Sequence, residues 1–315
     1  MRSPYLLGTA CGLFSAFIYT CANALLRSVH DLDPVWVSAV KALPTVLAMG
    51  PILLVRASNG RPVFPSWRTT AGIVAGGLLG QLGGNIAFQW ALGQIGIALT
   101  VPLSLGGMIL GAAVLGRAFL GEPLTPGVLL ALGLLLGAIS VLSLGAEEAR
   151  QSLGIVVRAS SWQQLAGVAA ACWSGVAYAV LNVILRHCTT RGSSLPSTLF
   201  TVALVGLISL GTLSLARMGP AGIAATTGRQ WGLMLGAGIC NTIAFVSLTR
   251  SLQLTSVVYV NALNATQATL AALAGVVLFR EALSPWLATG VTLTIAGLVC
   301  LARAHQELVS VRGTD

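Results

Sequence analysis

One charged residue inside an apolar stretch is the clearest candidate for chemistry in this sequence. Lys41 is the only lysine of the chain, and it lies seven residues beyond Pro34. A helix that begins at Pro34 would carry it ~10 Å along the helix axis. A cation at that depth of a membrane costs on the order of 2.5–3.5 kcal/mol, and no Asp or Glu lies in any apolar segment to offset it. Either the ammonium group extends to the outer interface or bonds free backbone carbonyls, or it faces a cavity and attracts an anionic or carboxylate-bearing solute.

A Ser-Tyr-Asn pattern with helical spacing occurs twice, at a constant offset along the sequence. The offset pairs Ser15 with Ser174, Tyr19 with Tyr178, and Asn23 with Asn182. Residues four apart share a helix face, so each copy presents a hydroxyl, a phenol and an amide on one side of its helix. These side chains either bond neighbouring helices, which the matched copies favour, or contact a solute, with the two tyrosines as aromatic walls or gates.

Further side-chain amides share helix faces without being repeated. Gln81 and Asn85 are four residues apart in one apolar segment, and Asn261, Asn264 and Gln267 follow at intervals of three in another. An amide in hydrocarbon must find a hydrogen-bond partner. The positions of the first half that the repeat matches with the second set hold no amides, so two interpretations stay open. These amides line a wet cavity, or they bond neighbouring helices.

The composition describes the elements that must position these groups. Hydrophobic residues make up 56% of the 315 residues and charged residues only 8%, against roughly 25% charged in an ordinary soluble domain. Ten apolar segments are about long enough to span a hydrocarbon core of ~30 Å. We therefore predict an all-α membrane protein with ten transmembrane helices. The segments are about 5–27, 34–56, 70–92, 96–119, 126–145, 164–186, 196–217, 231–250, 256–279 and 286–304.

The repeat predicts how the ten helices are arranged. Each copy holds five segments, and an odd number forces the second copy to enter the bilayer from the opposite side. We predict two inverted five-helix repeats around a central site, which is the usual construction of a secondary transporter. The predicted boundaries are 1–145 for the N-terminal repeat, 146–163 for a connecting loop, 164–304 for the C-terminal repeat and 305–315 for a cytoplasmic tail.

Basic residues at the segment ends predict the orientation. With the N-terminus in the cytoplasm, ten arginines fall on the inner side and six on the outer side, as the positive-inside rule requires. Both termini are therefore expected in the cytoplasm. The net charge of +9 follows from this topology, and no nucleic-acid partner is expected.

Two glutamates follow the fourth and ninth segments at matched positions. They are Glu122 and Glu281. We expect them near the membrane interface, as partners for Arg117 or Arg280 and for the start of the following helix, and a gating salt bridge is the alternative.

No enzyme signature accompanies the membrane segments. The sequence has no phosphate-binding loop, and its six cysteines lie in or at the ends of apolar segments without metal-binding or disulfide spacing. No connection between the segments is long enough for a catalytic domain. We expect no enzymatic activity, no cofactor and no metal.

Several of these features together resemble a known family. The block that runs from Ala91 through Pro102 to the Gly-Glu-Pro-Leu-Thr run at 121–125, with its second-half counterpart at 279–284, is similar to the EamA-like branch of the drug/metabolite transporter superfamily. The resemblance covers about residues 5–304. It implies a basket-like bundle with a central cavity formed by helices 1–4 and 6–9, peripheral helices 5 and 10, and alternating access. It also implies the bacterial inner membrane, where such proteins commonly export small metabolites.

The residues and the resemblance together lead to one expected function. We expect a secondary-active transporter that exports a small polar metabolite such as an amino acid or a related carboxylate. A carrier of sugars or phosphorylated compounds and a passive channel are the alternatives. Coupling to protons or by exchange stays open, as does a monomer or a homodimer. The expected substrate-binding residues are Tyr19, Asn23, Lys41, Gln81, Asn85, Tyr178, Asn182, Asn261, Asn264 and Gln267.

Overall fold

Helices make up the regular structure in the described part of the chain. The computed structural model describes residues 2–29, 31–95, 97–152, 161–270, 273 and 285–312, and no β-strand occurs among them. The predicted all-α class is therefore confirmed. The helices are α1 Arg2–Arg27, α2 Pro34–Ser58, α3 Trp67–Leu78, a π-helical segment Leu79–Asn85, α4 Ile86–Ile95, α5 Ile97–Leu120, α6 Pro126–Ser152, α7 Ser161–Thr190, α8 Leu195–Ala224, α9 Gly228–Leu254, α10 Val257–Asn264 and α11 Pro285–Arg312.

Capping side chains determine where several of these helices begin. Asp33 accepts hydrogen bonds from the backbone N–H groups of Val35 and Trp36 at the start of α2. Thr227 and Gln230 form a reciprocal capping box at the start of α9. The first N–H groups of a helix lack intrahelical partners, so such caps stabilise the helix start. These caps fix the residues at which α2 and α9 begin, whereas hydropathy alone gives only approximate segment ends.

Eight candidate membrane spans lie within the described residues, by length and composition. One of them, Trp67–Ile95, is continuous through α3, the π-helical segment and α4. A shorter apolar helix, Ala288–Ala304, corresponds to the tenth predicted segment. The ninth predicted segment is described to residue 270 and at 273, and its other residues lie outside the described part. These spans support a multi-pass membrane protein, and the count of ten helices stays a prediction.

Helices of the first half pack mainly against helices of the second half. The packed pairs are α1 with α9, α5 with α7, α2 with α8, and α6 with α11. The span Trp67–Ile95 also packs against α7. This contact joins the third span with the sixth, and α1 with α9 joins the first with the eighth. The two contacts correspond when each span of one half is replaced by its counterpart in the other half. Such matching contacts fit two related halves, whereas their inverted orientation and the boundary between them stay predictions.

Glycine permits a very close approach between α5 and α7. A Cβ atom on Gly175 would lie 2.0 Å from the carbonyl oxygen of Ser104 and 2.6 Å from the backbone nitrogen of Met108. A Cβ atom on Gly107 would lie 2.5 Å from the carbonyl oxygen of Cys172. Backbone, rather than a flexible side chain, occupies these places. Small residues matter here because lipid supplies no hydrophobic force between helices, so association depends on close packing.

We expect Gly175→Ala to destabilise the folded protein because α5 and α7 must move apart to admit the methyl group. Overpacking of this kind costs about 1–3 kcal/mol, so the melting temperature in detergent should fall by at least about 2 °C. The matched control is Gly133→Ala in α6, where a Cβ atom would meet nothing within 4 Å. Equal melting temperatures for the wild type and Gly175→Ala would contradict the close contact.

Candidate functional site

A central cavity of about 160 Å³ lies between the two halves of the chain. The first half contributes side chains from α1, α2, the span Trp67–Ile95 and α5, and the second half from α7, α8, α9 and residues 264 and 267. No residue of α6 or α11 belongs to the described lining, in keeping with their expected peripheral position. The polar lining residues are Tyr19, Asn23, Lys41, Thr45, Gln81, Asn85, Ser104, Tyr178, Asn182, Asn241, Asn264 and Gln267.

A hydrogen-bonded group around Lys41 forms the charged part of this lining. The Nζ of Lys41 donates to Oδ1 of Asn85 at 2.9 Å, and the hydroxyl of Tyr178 donates to the same oxygen at 2.7 Å. Nδ2 of Asn85 donates to Oε1 of Gln81, and Nε2 of Gln81 donates to the carbonyl of Val202 at 3.4 Å. The structure thus places Lys41 at the cavity, with its amine held by an amide from the neighbouring span.

The π-helical segment positions both amides of this group. Its sequence, Leu-Gly-Gln-Leu-Gly-Gly-Asn, carries three glycines between the two amides and beside them. A Cβ atom on Gly84 would lie 2.8 Å from the Tyr178 ring, so glycine there lets the ring lie directly against the segment. That approach brings the tyrosine hydroxyl to Asn85. Single π-helical turns are frequent at functional sites.

A second, uncharged group of amides also joins the two halves of the chain. Nδ2 of Asn23 approaches Oε1 of Gln267 at 3.5 Å, and Nε2 of Gln267 donates to Oδ1 of Asn264 at 3.3 Å. All three side chains line the cavity. Their donors and acceptors are only partly used by one another, so they can also bond a polar solute.

Asn182 and Asn261 form a pair of which only one member lines the cavity. Nδ2 of Asn182 donates to Oδ1 of Asn261 at 2.7 Å. Asn261 is 0% exposed and lies behind Asn182, outside the cavity lining. Its own Nδ2 has no hydrogen-bond partner among the described residues. The cavity therefore contains nine of the ten expected binding residues, and their role in binding stays a proposal.

The repeated serines are used for packing rather than for the cavity. Ser15 donates to the carbonyl of Ala244 at 3.0 Å. Ser174 shares a hydrogen bond of 2.8 Å with Ser104 and donates to the carbonyl of Ala171 at 2.7 Å. Both serines are 0% exposed. Within each triplet the serine thus bonds a neighbouring helix, while the tyrosine and the asparagine face the cavity.

Asn241 of α9 lines the cavity but was not among the residues expected from the sequence. A signal for it exists, because it is the only amide in the apolar segment 231–250. In the third and eighth segments, the matching residues of the two halves lie one position farther apart than in the first and sixth. This longer offset pairs Gly72 with Gly232, and it also pairs Gln81 with Asn241. With the shorter offset that pairs Ser15 with Ser174, Gln81 and Asn241 are not matched.

An ion pair joins helix ends of the two halves away from the cavity. Oε1 of Glu122 lies 3.2 Å from Nε of Arg186. The same carboxylate accepts from the backbone N–H groups of Val257 at 2.8 Å and Val258 at 3.1 Å, at the start of α10. Arg186 also donates to the carbonyl of Leu252 in α9. This ion pair therefore connects the chain after α5 with α7 and α10 through the carboxylate, and with α9 through the arginine.

The expected pairing of Glu122 with Arg117 is wrong. The helix α5 ends at Leu120, and Gly121 adopts φ +64°, a conformation that glycine tolerates best. The backbone N–H of Glu122 then donates to the carbonyl of Gly116. This reversal directs the carboxylate across the bundle toward Arg186. Glu281 lies outside the described residues.

Comparison with known proteins agrees with this geometry. Residues 165–303 match the EamA-like transporter family. The match covers α7 to α10 and most of α11, and it confirms the family resemblance over the second half of the chain. A match to this family indicates a membrane transporter.

The fold also occurs in a protein of known crystal structure. The two share a TM-score of 0.73 over 94% of this chain and 98% of the other chain, at 19% sequence identity. At that identity the likeness concerns the fold alone. No curated protein matches this chain.

We expect Glu122→Gln to destabilise the folded protein clearly more than Asp33→Asn. Glu122 is 8% and Arg186 24% exposed, so removing the charge leaves a largely buried cation, at a cost of about 3 kcal/mol. Asp33 also caps a helix and pairs with an arginine, Arg217, but that arginine is 56% exposed. Asparagine caps as well as aspartate, so this control should lose about 1 kcal/mol or less. Thermal unfolding in detergent measures both, and equal shifts would contradict a buried pair at Glu122.

Proposed function

We propose that this protein is a secondary-active transporter that exports a small polar metabolite, an amino acid or a related carboxylate, by alternating access. The observation that carries the proposal is the environment of Lys41. Its cation is 8% exposed in a cavity between two halves of a membrane bundle. Among the described residues, no carboxylate lies within ion-pair distance of it.

The ammonium group of Lys41 has bonding capacity left for a solute. It carries three N–H donors, and one of them goes to Asn85. The other two have no acceptor among the described residues. A solute carboxylate would accept from them and supply the missing negative charge. Hydrogen bonds to charged groups are the stronger ones in a site of low dielectric.

The volume and lining of the cavity support a small, polar solute. A cavity of about 150 Å³ in another protein holds a molecule the size of benzene, and the cavity here has about 160 Å³. This favours a solute of amino-acid size over a nucleotide-linked compound. The group formed by Asn23, Gln267 and Asn264 offers amide donors and acceptors to the rest of that solute.

The position of the cavity supports alternating access. Both halves line it, so a rocking of one half against the other would expose it first to one side and then to the other. Glu122 belongs to the first half and Arg186 to the second, and we propose that their ion pair closes the cytoplasmic side in this state. Both termini would lie in the cytoplasm of a bacterial cell. Since the described lining of the cavity holds no Asp or Glu, we propose coupling by exchange rather than by protons.

The first experiment identifies a ligand of the purified protein. Purified protein is screened by thermal shift against amino acids, sugars and organophosphates, because a ligand that binds the folded state raises the melting temperature. A compound that raises it is then used for counterflow in proteoliposomes. We expect carboxylate-bearing compounds to raise the melting temperature and neutral sugars to leave it unchanged.

We expect Lys41→Met to lower counterflow of that compound by roughly ten- to a hundredfold, the effect of losing one charged hydrogen bond. Lys41→Arg should keep part of the flux because it keeps the charge. Arg61→Met, which removes a charge from the exposed connection before α3, is the control and should transport like the wild type. Membrane insertion and yield are measured for every variant.

Two results would contradict the proposal. Unchanged counterflow in Lys41→Met would remove Lys41 from the binding site. Flux that does not saturate and shows no counterflow would identify a passive channel instead of a carrier.

A further inference from the structure

A second cavity lies on the flank of the bundle, where three helix ends meet. It is a groove of about 580 Å³ between α3, α5 and α7. Three basic side chains line its mouth: Arg68, His187 and Arg191. They lie in the first turn of α3 and at the end of α7. We call this the flank groove.

Apolar side chains line the flank groove away from its mouth. They are Leu115, Phe119, Leu120, Val180, Val183 and Ile184. Val180 lies ten residues before the end of α7 at Thr190, so the groove reaches ~15 Å along that helix. This depth equals about half of a hydrocarbon core of ~30 Å. The groove thus spans one leaflet, with a basic mouth at the interface and an apolar shaft within the membrane.

The flank groove is open toward the surroundings of the bundle. Phe119 is 71% exposed, and a Cβ atom on Gly72 would meet nothing within 4 Å. In the described part of the chain, neither Arg68 nor Arg191 has an ion-pair partner, and no carboxylate belongs to the groove lining. No described carboxylate therefore compensates its charge.

We propose that the flank groove binds an anionic glycerophospholipid of the leaflet on the predicted cytoplasmic side. The phosphate accepts hydrogen bonds from Arg68 and Arg191 at the mouth, and an acyl chain lies along the shaft against Phe119 and Ile184. Basic pockets between membrane helices on the cytoplasmic side bind anionic headgroups in this way. The inference is independent of the transported solute, because the groove shares no lining residue with the central cavity.

The apolar shaft favours a lipid over a free anion. Inorganic phosphate would use only the mouth and would leave the apolar side chains uncovered. A phospholipid fills both parts of the groove, because its phosphate meets the arginines and its acyl chain packs closely against the apolar side chains. A zwitterionic lipid has the same chain, but its cationic headgroup offsets the phosphate charge.

The experiment compares lipid binding by the full-length protein in a neutral maltoside detergent. Phosphatidylglycerol, phosphatidylcholine and inorganic phosphate are titrated while the melting temperature and native mass spectra are recorded. We expect phosphatidylglycerol to raise the melting temperature and to remain bound in the spectrometer. Phosphatidylcholine and phosphate should do neither.

The decisive variant is the double substitution Arg68→Gln/Arg191→Gln. Each arginine near a membrane surface strengthens binding of an anionic lipid about fivefold, so the double variant should bind phosphatidylglycerol roughly twenty-five-fold more weakly. The matched control is Arg61→Gln/Arg250→Gln, which removes the same charge at exposed positions outside the groove. Both should melt like the wild type when no lipid is added.

Three results would overturn the lipid site. The double variant could keep the full response to phosphatidylglycerol, which would place the lipid elsewhere. The control pair could lose the response equally, which would show that total charge matters and not the groove. Inorganic phosphate could reproduce the response, which would identify a free-anion site without a role for the apolar shaft.

Discussion

No water is available in the hydrocarbon core of a bilayer, so polar groups there bond to one another or gather around a cavity. This constraint determines where the polar side chains of this chain can lie. Asn85 shows the result most clearly, because its single side-chain oxygen accepts from both Lys41 and Tyr178. These donors come from two different halves of the chain. Without that oxygen, a cation and a hydroxyl in mid-membrane would both lose an acceptor, and the halves would lose a polar contact.

The two halves place different side chains at matched positions, and the chemistry of the cavity follows from that divergence. Asn23 bonds Gln267, whereas its counterpart Asn182 meets the sulfur of Met108 at 3.9 Å. Gln267 and Met108 are themselves matched by the repeat. Two similarly packed halves thus enclose an uneven surface, with one cation beside Asn85 and uncharged amides elsewhere in the lining. Such a surface suits a solute that carries a single anionic group.

Much of this arrangement could be predicted from the sequence because lipid restricts the choices. Apolar segments of span length indicated the helices, and amides within them indicated a polar interior. Asn261 shows where the reasoning ends: its spacing from Asn264 predicts a shared face, but the rotation of the helix about its axis depends on its neighbours. The partner of Glu122 depends on the chain reversal at Gly121, and the spacing of hydrophobic residues along the sequence does not predict such a reversal. Asn241 escaped notice because the offset between the halves lengthens by one position before that helix.

The π-helical segment has a consequence for α4, which follows it directly. A π turn holds one residue more than the α-helical hydrogen-bonding pattern would. Return to the α pattern would rotate everything beyond Asn85 by about 100°, the angle between successive residues of an α-helix. Phe88, which belongs to α4 and lines the cavity, would then swing out of it, and a different side chain would take its place. The single π-helical turn therefore determines which face of α4 lines the cavity.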